Sequence, residues 1–142
     1  MATLTSTAVA NNTLIYNPTG VNSLSVDYNS GATAISISAT TILMCNIPHG
    51  ATITEISTLV TSGAATTPFD LGIESNLSLF GNAIAAGALA QAEFGLPYDV
   101  SQTDTAVPYQ TVRVTVTPAS VTASVKASMT VYYTFNQNRV AR

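Results

Sequence analysis

Tryptophan is absent, cysteine and histidine occur once each, and lysine and arginine together supply only four of 142 residues. Each shortage removes a class of function. A zinc centre takes three or four Cys or His ligands, which Cys45 and His49 cannot supply between them. Nucleophilic catalysis needs a base within hydrogen-bond reach of a Ser or Cys, and the single histidine stands between Pro48 and Gly50 without a Gly-x-Ser-x-Gly elbow. Seven carboxylates could in principle hydrolyse glycosides or hold calcium, but no Asp-x-Asp-x-Asp loop occurs and there is no indole platform for a sugar. Gly-rich phosphate loops are missing as well. The expectation is therefore a non-enzyme with no metal and no cofactor.

Positive charge is equally scarce. Arg113, Lys126, Arg139 and Arg142 cluster only at the C-terminus, and the net charge is −3, so the phosphate neutralisation that nucleic-acid binding demands is not provided. Cys45 is alone and cannot form an internal disulfide; in the apolar run Thr41 to Cys45 it reads as a small buried thiol. Long apolar runs are lacking too. Leu79 to Ala92 is broken by Gly81, Asn82, Gly87 and Gln91, short of the roughly 20 residues that span a bilayer, and the N-terminus has no signal-peptide pattern. Synthesis in the cytoplasm without membrane insertion is expected.

What is present is apolar and hydroxylic. Hydrophobic residues make up 46% of the chain and charged residues only 8%, against roughly 25% charged in ordinary soluble domains. Ser and Thr, about a quarter of the sequence, must fill the solvent-facing positions. A polar surface with so little charge has weak long-range repulsion, which favours assembly with copies of itself or with other neutral surfaces.

Alternation with a period of two runs through most of the chain, the mark of half-buried strands. Leu24, Val26 and Tyr28 give a first strand, and a second begins at Ala34 with Ile35, Ile37 and Ala39 inward. A change of phase near Thr40 and Thr41 predicts a bulge or corner there. Asn46 to Gly50 reads as a turn into a β-branched strand, Ala51 to Thr61, and Phe69, Leu71 and Ile73 alternate with Asp70, Gly72 and Glu74. These last two are expected to form an antiparallel pair. Asn76 to Gln91 lacks a clean period and is expected to be a long Ala/Gly-rich connection, with a short helix over Ala83 to Glu93; Phe94 to Tyr98 follows as a loop with aromatic anchors. Val112, Val114 and Val116, then Val121, Ala123 and Val125, then Ala127 to Phe135 complete the strands.

Six to eight strands without βα units predict an all-β, antiparallel β-sandwich in one domain, residues 21–135. An N-terminal arm, residues 1–20, and a C-terminal tail, residues 136–142, flank it. The arm reads as irregular apart from an apolar knot, Leu14, Ile15 and Tyr16, which either folds back on its own domain or docks on a neighbour.

Ile47-Pro48-His49-Gly50-Ala51-Thr52-Ile53-Thr54-Glu55-Ile56, then Phe69-Asp70-Leu71-Gly72-Ile73, then the closing strand ending Val131-Tyr132-Tyr133, resemble the small virion proteins of tailed phages often encoded beside the major capsid protein. The resemblance covers roughly Asn46 to Phe135, although the Asp-rich run expected after Ile73 is missing. It implies a jelly-roll-like sandwich that decorates or cements the head shell, binding the major capsid protein as a homo-oligomer, dimer or trimer, at the capsid surface of a virion made in the host cytoplasm. The interface it implies is formed by Leu14, Ile15 and Tyr16 of the arm or by Arg139 and Arg142 of the tail. A tail, fibre or other surface-assembly subunit, and a ligand- or glycan-binding β-sandwich module, are the alternatives that the composition leaves open.

Overall fold

The structure, a computed structural model, describes residues 2–11, 14–15, 20–29, 40–62, 68–100, 109–116 and 125–135. Ten strands and one short helix occur among them: β1 (Ala2–Thr5), α1 (Thr7–Ala10), β2 (Asn22–Asn29), β3 (Thr40–Pro48), β4 (Ala51–Ser62), β5 (Phe69–Ile73), β6 (Asn76–Ile84), β7 (Ala90–Gln91), β8 (Tyr98–Asp99), β9 (Tyr109–Val116) and β10 (Val125–Phe135). Sheet I has the order β1-β3-β9-β5-β6; sheet II has the order β2-β10-β4-β7, with β8 also on β4. All pairings are antiparallel except β1 on β3. From β2 onward the chain crosses between the sheets at nearly every connection, and the resulting order is that of a jelly roll.

Clean alternation runs through the central strands β9 and β10 and the edge strand β2, each of which keeps one face dry. In β10 the inner set Val125, Ala127, Met129, Val131, Tyr133 and Phe135 is buried, while Lys126 and Ser128 are exposed. In β9 Val112, Val114 and Val116 are buried and face Ile42, Phe69 and Leu71 across the ladders and the core. Fully burying a Val, Leu or Phe side chain contributes roughly 1.5–3 kcal/mol, so the period of two that is written in the sequence is also what holds the two sheets together.

Several expectations are corrected by this arrangement. The strands Ala51–Ser62 and Phe69–Ile73 do not pair: β4 lies between β10 and β7 in sheet II, and β5 between β9 and β6 in sheet I. Both strands have a strongly apolar face, and placing them in opposite sheets buries both faces against each other. Asn76 to Ile84 is a strand and not a connection, and no helix forms over Ala83 to Glu93. Its alternation was hidden because two register shifts against β5 break the period, and Ala83 adopts φ +54° where a helix needs a negative value. Asn46 to Pro48 continue β3, leaving only His49 and Gly50 as the turn. The irregularity near Thr40 and Thr41 lies further along, between Leu43 and Cys45, where Met44 is the extra residue against β9. The arm is not irregular either, since it contributes β1 and α1. The second-strand residues Ala34 to Ala39, and Val121 and Ala123, lie outside the described residues, as do Tyr16, Arg139 and Arg142.

Candidate interaction surface

An edge strand exposes unpaired backbone groups, so each edge of the sandwich shows whether the molecule covers itself or leaves room for a partner. Sheet I ends on one side in β6, and the chain covers it. The amides of Glu93 and Phe94 both donate to the Phe80 carbonyl, at 2.8 and 3.2 Å. Gly95 follows with φ +79°, and a Cβ there would lie 2.4 Å from the Leu79 carbonyl oxygen, so only glycine fits. Phe80 meets Tyr98 edge to face at 5.4 Å, and the Tyr98 hydroxyl donates to Gln110 Oε1 at 2.7 Å.

The same segment closes the corresponding edge of sheet II. Gly87 N donates to Val60 O, Ala92 N to Ile56 O, and Val100 N to Ala51 O, so residues 87–100 run along β4 as one interrupted strand. Between Ala92 and Tyr98 it leaves β4 and swings across to β6. The excursion presents Phe94, 49% exposed, with Glu93 exposed beside it and Asp99 beyond; Leu89, 70% exposed, precedes it.

On the other side, β1 pairs with β3 and leads into α1, which packs on β3 and touches β2. Ser6 makes the junction. Its amide donates to Leu43 O, its hydroxyl donates to Met44 O, and the same oxygen accepts from Val9 N as the helix N-cap. A single buried serine thereby satisfies the carbonyls freed by the bulge at Met44 and starts the helix.

Of the residues proposed from sequence as an interface, the structure places Leu14 and Ile15. Leu14 is half-buried, and the Ile15 carbonyl accepts a hydrogen bond from the hydroxyl of Tyr133 in β10, so this part of the arm folds back on its own domain. Ile15 nonetheless keeps 37% of its surface. Val21, which the sequence pattern does not single out, is 67% exposed, and Asn22 beside it donates through Nδ2 to the Tyr133 carbonyl at 3.4 Å. A lone valine between Gly20 and Asn22 carries no periodic signal, and no motif would have found it.

The residues of the family-like motif have structural work. Asp70 Oδ1 accepts from Ala83 N at 2.9 Å, supplying the acceptor that the register shift between β5 and β6 takes away. A Cβ on Gly72 would lie 2.2 Å from Asn76 O and 2.5 Å from the Leu77 carbonyl carbon. His49 and Gly50 form the β3–β4 turn, with Gly50 N donating to Val100 O.

Reactive groups are buried or dispersed. Cys45 is completely buried, its sulfur 3.9 Å from that of Met129, and burial pushes its pKa up to about 12; a thiol held neutral in this way is a poor nucleophile. Burial also pushes the Tyr133 hydroxyl up to about 12, with the neighbouring Cys45 adding to the rise and the bond to Ile15 opposing it. Arg113 on β9 is lowered from its usual value by desolvation, and Glu74 acts against that. Among the described residues no group of three His, Cys, Asp or Glu could hold a metal ion, and no helix is long and apolar enough to cross a membrane.

No protein-family model and no curated protein sequence matches this chain. Its shape is similar to solved structures. One is a chain from "Capsid of Ralstonia phage GP4", with a TM-score of 0.70 and 17% identity over 95% of this chain and 99% of that one. Another is from "Cyanophage Pam1 capsid asymmetric unit", with a TM-score of 0.55 and 21% identity over 81% and 84% of the two chains. At such identities the likeness establishes a shared fold.

Proposed function

We propose that this chain is a non-enzymatic structural protein of a bacteriophage virion, one that decorates or cements the capsid by binding the major capsid protein as a homo-oligomer. The observation that carries the reading is the fold shared over 99% of the length of a chain in the Ralstonia phage GP4 capsid. A match of that extent makes this jelly roll comparable in size and plan to a whole virion component. The low surface charge supports it, since docking on a shell through apolar and backbone contacts has few ion pairs to desolvate. So does the self-covering of the β6 edge, which protects a small soluble subunit from random strand pairing before it reaches its partner.

Mixing the purified chain with capsids that lack it tests the reading. Co-sedimentation at a fixed stoichiometry, with label on the head shell in electron micrographs, is the expected result. Failure to sediment with capsids, or label confined to the tail, overturns it.

A further inference from the structure

Sheet I carries on its outer face a cation whose buried donor has no partner. Arg113 alternates with Val112 and Val114, which are buried in the core, so it stands on the opposite face of β9, the central strand of that sheet. The residue is half-buried, and its Nε is buried without a hydrogen bond. The ladders account for the burial. Arg113 pairs with Leu43 of β3 on one side and with Gly72 of β5 on the other. The backbone of Asn76 and Leu77 passes so close over Gly72 that no Cβ fits there, so the arginine rises between that backbone and Leu43. Polar groups in the neighbouring rows are committed elsewhere. Thr111 donates to Asn46 Oδ1 at 2.6 Å, the Thr115 and Thr41 hydroxyls bond each other at 3.3 Å, and Asp70 Oδ1 accepts from Ala83 N. Glu74, exposed in the turn after β5, offsets by its charge only part of the desolvation that lowers the Arg113 pKa.

We infer that Arg113 is a docking cation, receiving a carboxylate of the capsid shell against the outer face of sheet I. A buried donor left unpaired destabilises the free chain, and the deficit ends when an acceptor arrives. The chemistry selects the occupant. A guanidinium presents a planar fork of N–H donors that a carboxylate meets with two parallel bonds, and it is more easily desolvated than an ammonium. A phosphate polymer requires several cations side by side, whereas Arg113 is the one arginine among the described residues and Lys126 lies on the other sheet. The half-buried hydroxyl residues Thr111 and Thr115 on either side of Arg113 along β9 add no charge, so an incoming acid meets one cation in a weakly polar setting, where the pair is least screened. Glu74 competes with that acid for the guanidinium.

The inference rests on the capsid binding of the proposed function, and the experiment separates the two. Co-sedimentation at graded concentrations gives the affinity of the full unaltered chain, of Arg113→Met and of Arg113→Lys for capsids that lack the protein. The same series is run on capsids whose carboxylates have been amidated with carbodiimide and glycinamide. Arg113→Met is expected to bind native capsids at least about thirtyfold more weakly than the unaltered chain, the loss that follows when one member of a desolvated charge pair is removed. Arg113→Lys keeps the charge without the fork and should fall between them. Amidation should bring the unaltered chain down to the level of Arg113→Met and leave that variant where it was, the non-additivity that a direct pair produces. Urea unfolding of Arg113→Met should have its midpoint at or above that of the unaltered chain, because an unpaired buried donor has gone. Equal binding of Arg113→Met and the unaltered chain, an equal effect of amidation on both, or a fall in stability for both variants overturns the inference and leaves the capsid reading standing. A smaller mass of Arg113→Met in solution by light scattering overturns it too, since the arginine would then bind another copy. An unaltered chain that never sediments with capsids overturns both.

Discussion

Thr58 is the residue at which the core should be improvable. It lies in β4 on the inner face between Ile56 and Val60, pairs with Met129 and Ala90, and is 1% exposed. Its hydroxyl oxygen is buried without a hydrogen-bond partner. A buried polar group left unpaired costs about 1–3 kcal/mol relative to its solvated state, and Thr58→Val replaces the hydroxyl by a methyl of nearly the same shape. Stabilisation of about 1 kcal/mol is expected, allowing for imperfect packing of the new methyl. For a chain of 142 residues that corresponds to a rise in melting temperature of about 3–5 °C. Urea and thermal unfolding followed by circular dichroism, at matched protein concentration because assembly also adds stability, read the effect. Thr58→Ser is the control, since it keeps the unpaired hydroxyl, loses the methyl contact and should fall below the parent. If Thr58→Val is less stable than the parent, the hydroxyl has a partner after all and the reasoning fails.

Gly72→Ala forces a Cβ to within 2.2 Å of Asn76 O; with backbone unable to yield, a loss of more than about 2 kcal/mol is expected, seen as a large fall in the urea midpoint. Asp70→Ala orphans the Ala83 amide and should cost about 1 kcal/mol by the same measurement, while Asp70→Asn, which keeps an oxygen acceptor, should recover part of the loss. Alkaline pH should unfold the chain through Cys45 and Tyr133. Both folded-state values are raised by burial, from 9.0 and 10.0 to about 12, so the neutral forms favour the fold: their contribution is whole below about pH 9 and is lost as pH rises towards 12. Cys45→Ala should flatten the fall of stability between pH 9 and 12, and an unchanged slope would show that the thiol does not titrate with unfolding.

How far the sequence could be read depended on what each strand faces. β2, β9 and β10 face the core with one side only, so their alternation is undiluted and their positions were legible, Val125 to Phe135 almost residue by residue. β3 is buried nearly throughout, which erases the contrast between its two faces and let Asn46 to Pro48 pass for a turn. β6 was missed because its bulges against β5 are a property of the pair: Asp70 and Gly72 accommodate the extra residues of a strand that begins at Asn76, and neither strand alone shows why. Pairing between sheets was illegible for the same reason. Adjacent strands in sequence suggest a hairpin, and only the need to bury both apolar faces separates β4 from β5.

The candidate interface was legible in kind and not in place. Scarce charge and abundant hydroxyl groups are properties of the whole surface, so composition pointed to assembly without a location. The arm supplied Leu14 and Ile15 because an apolar cluster in a polar segment stands out, yet the bond from Tyr133 to Ile15 is what fixes that corner, and it joins residues 118 positions apart. A residue whose role is to touch another copy has no reason to follow the period that packs its own core, and for that reason the exposed side chains that break the alternation are where a neighbouring subunit should be sought.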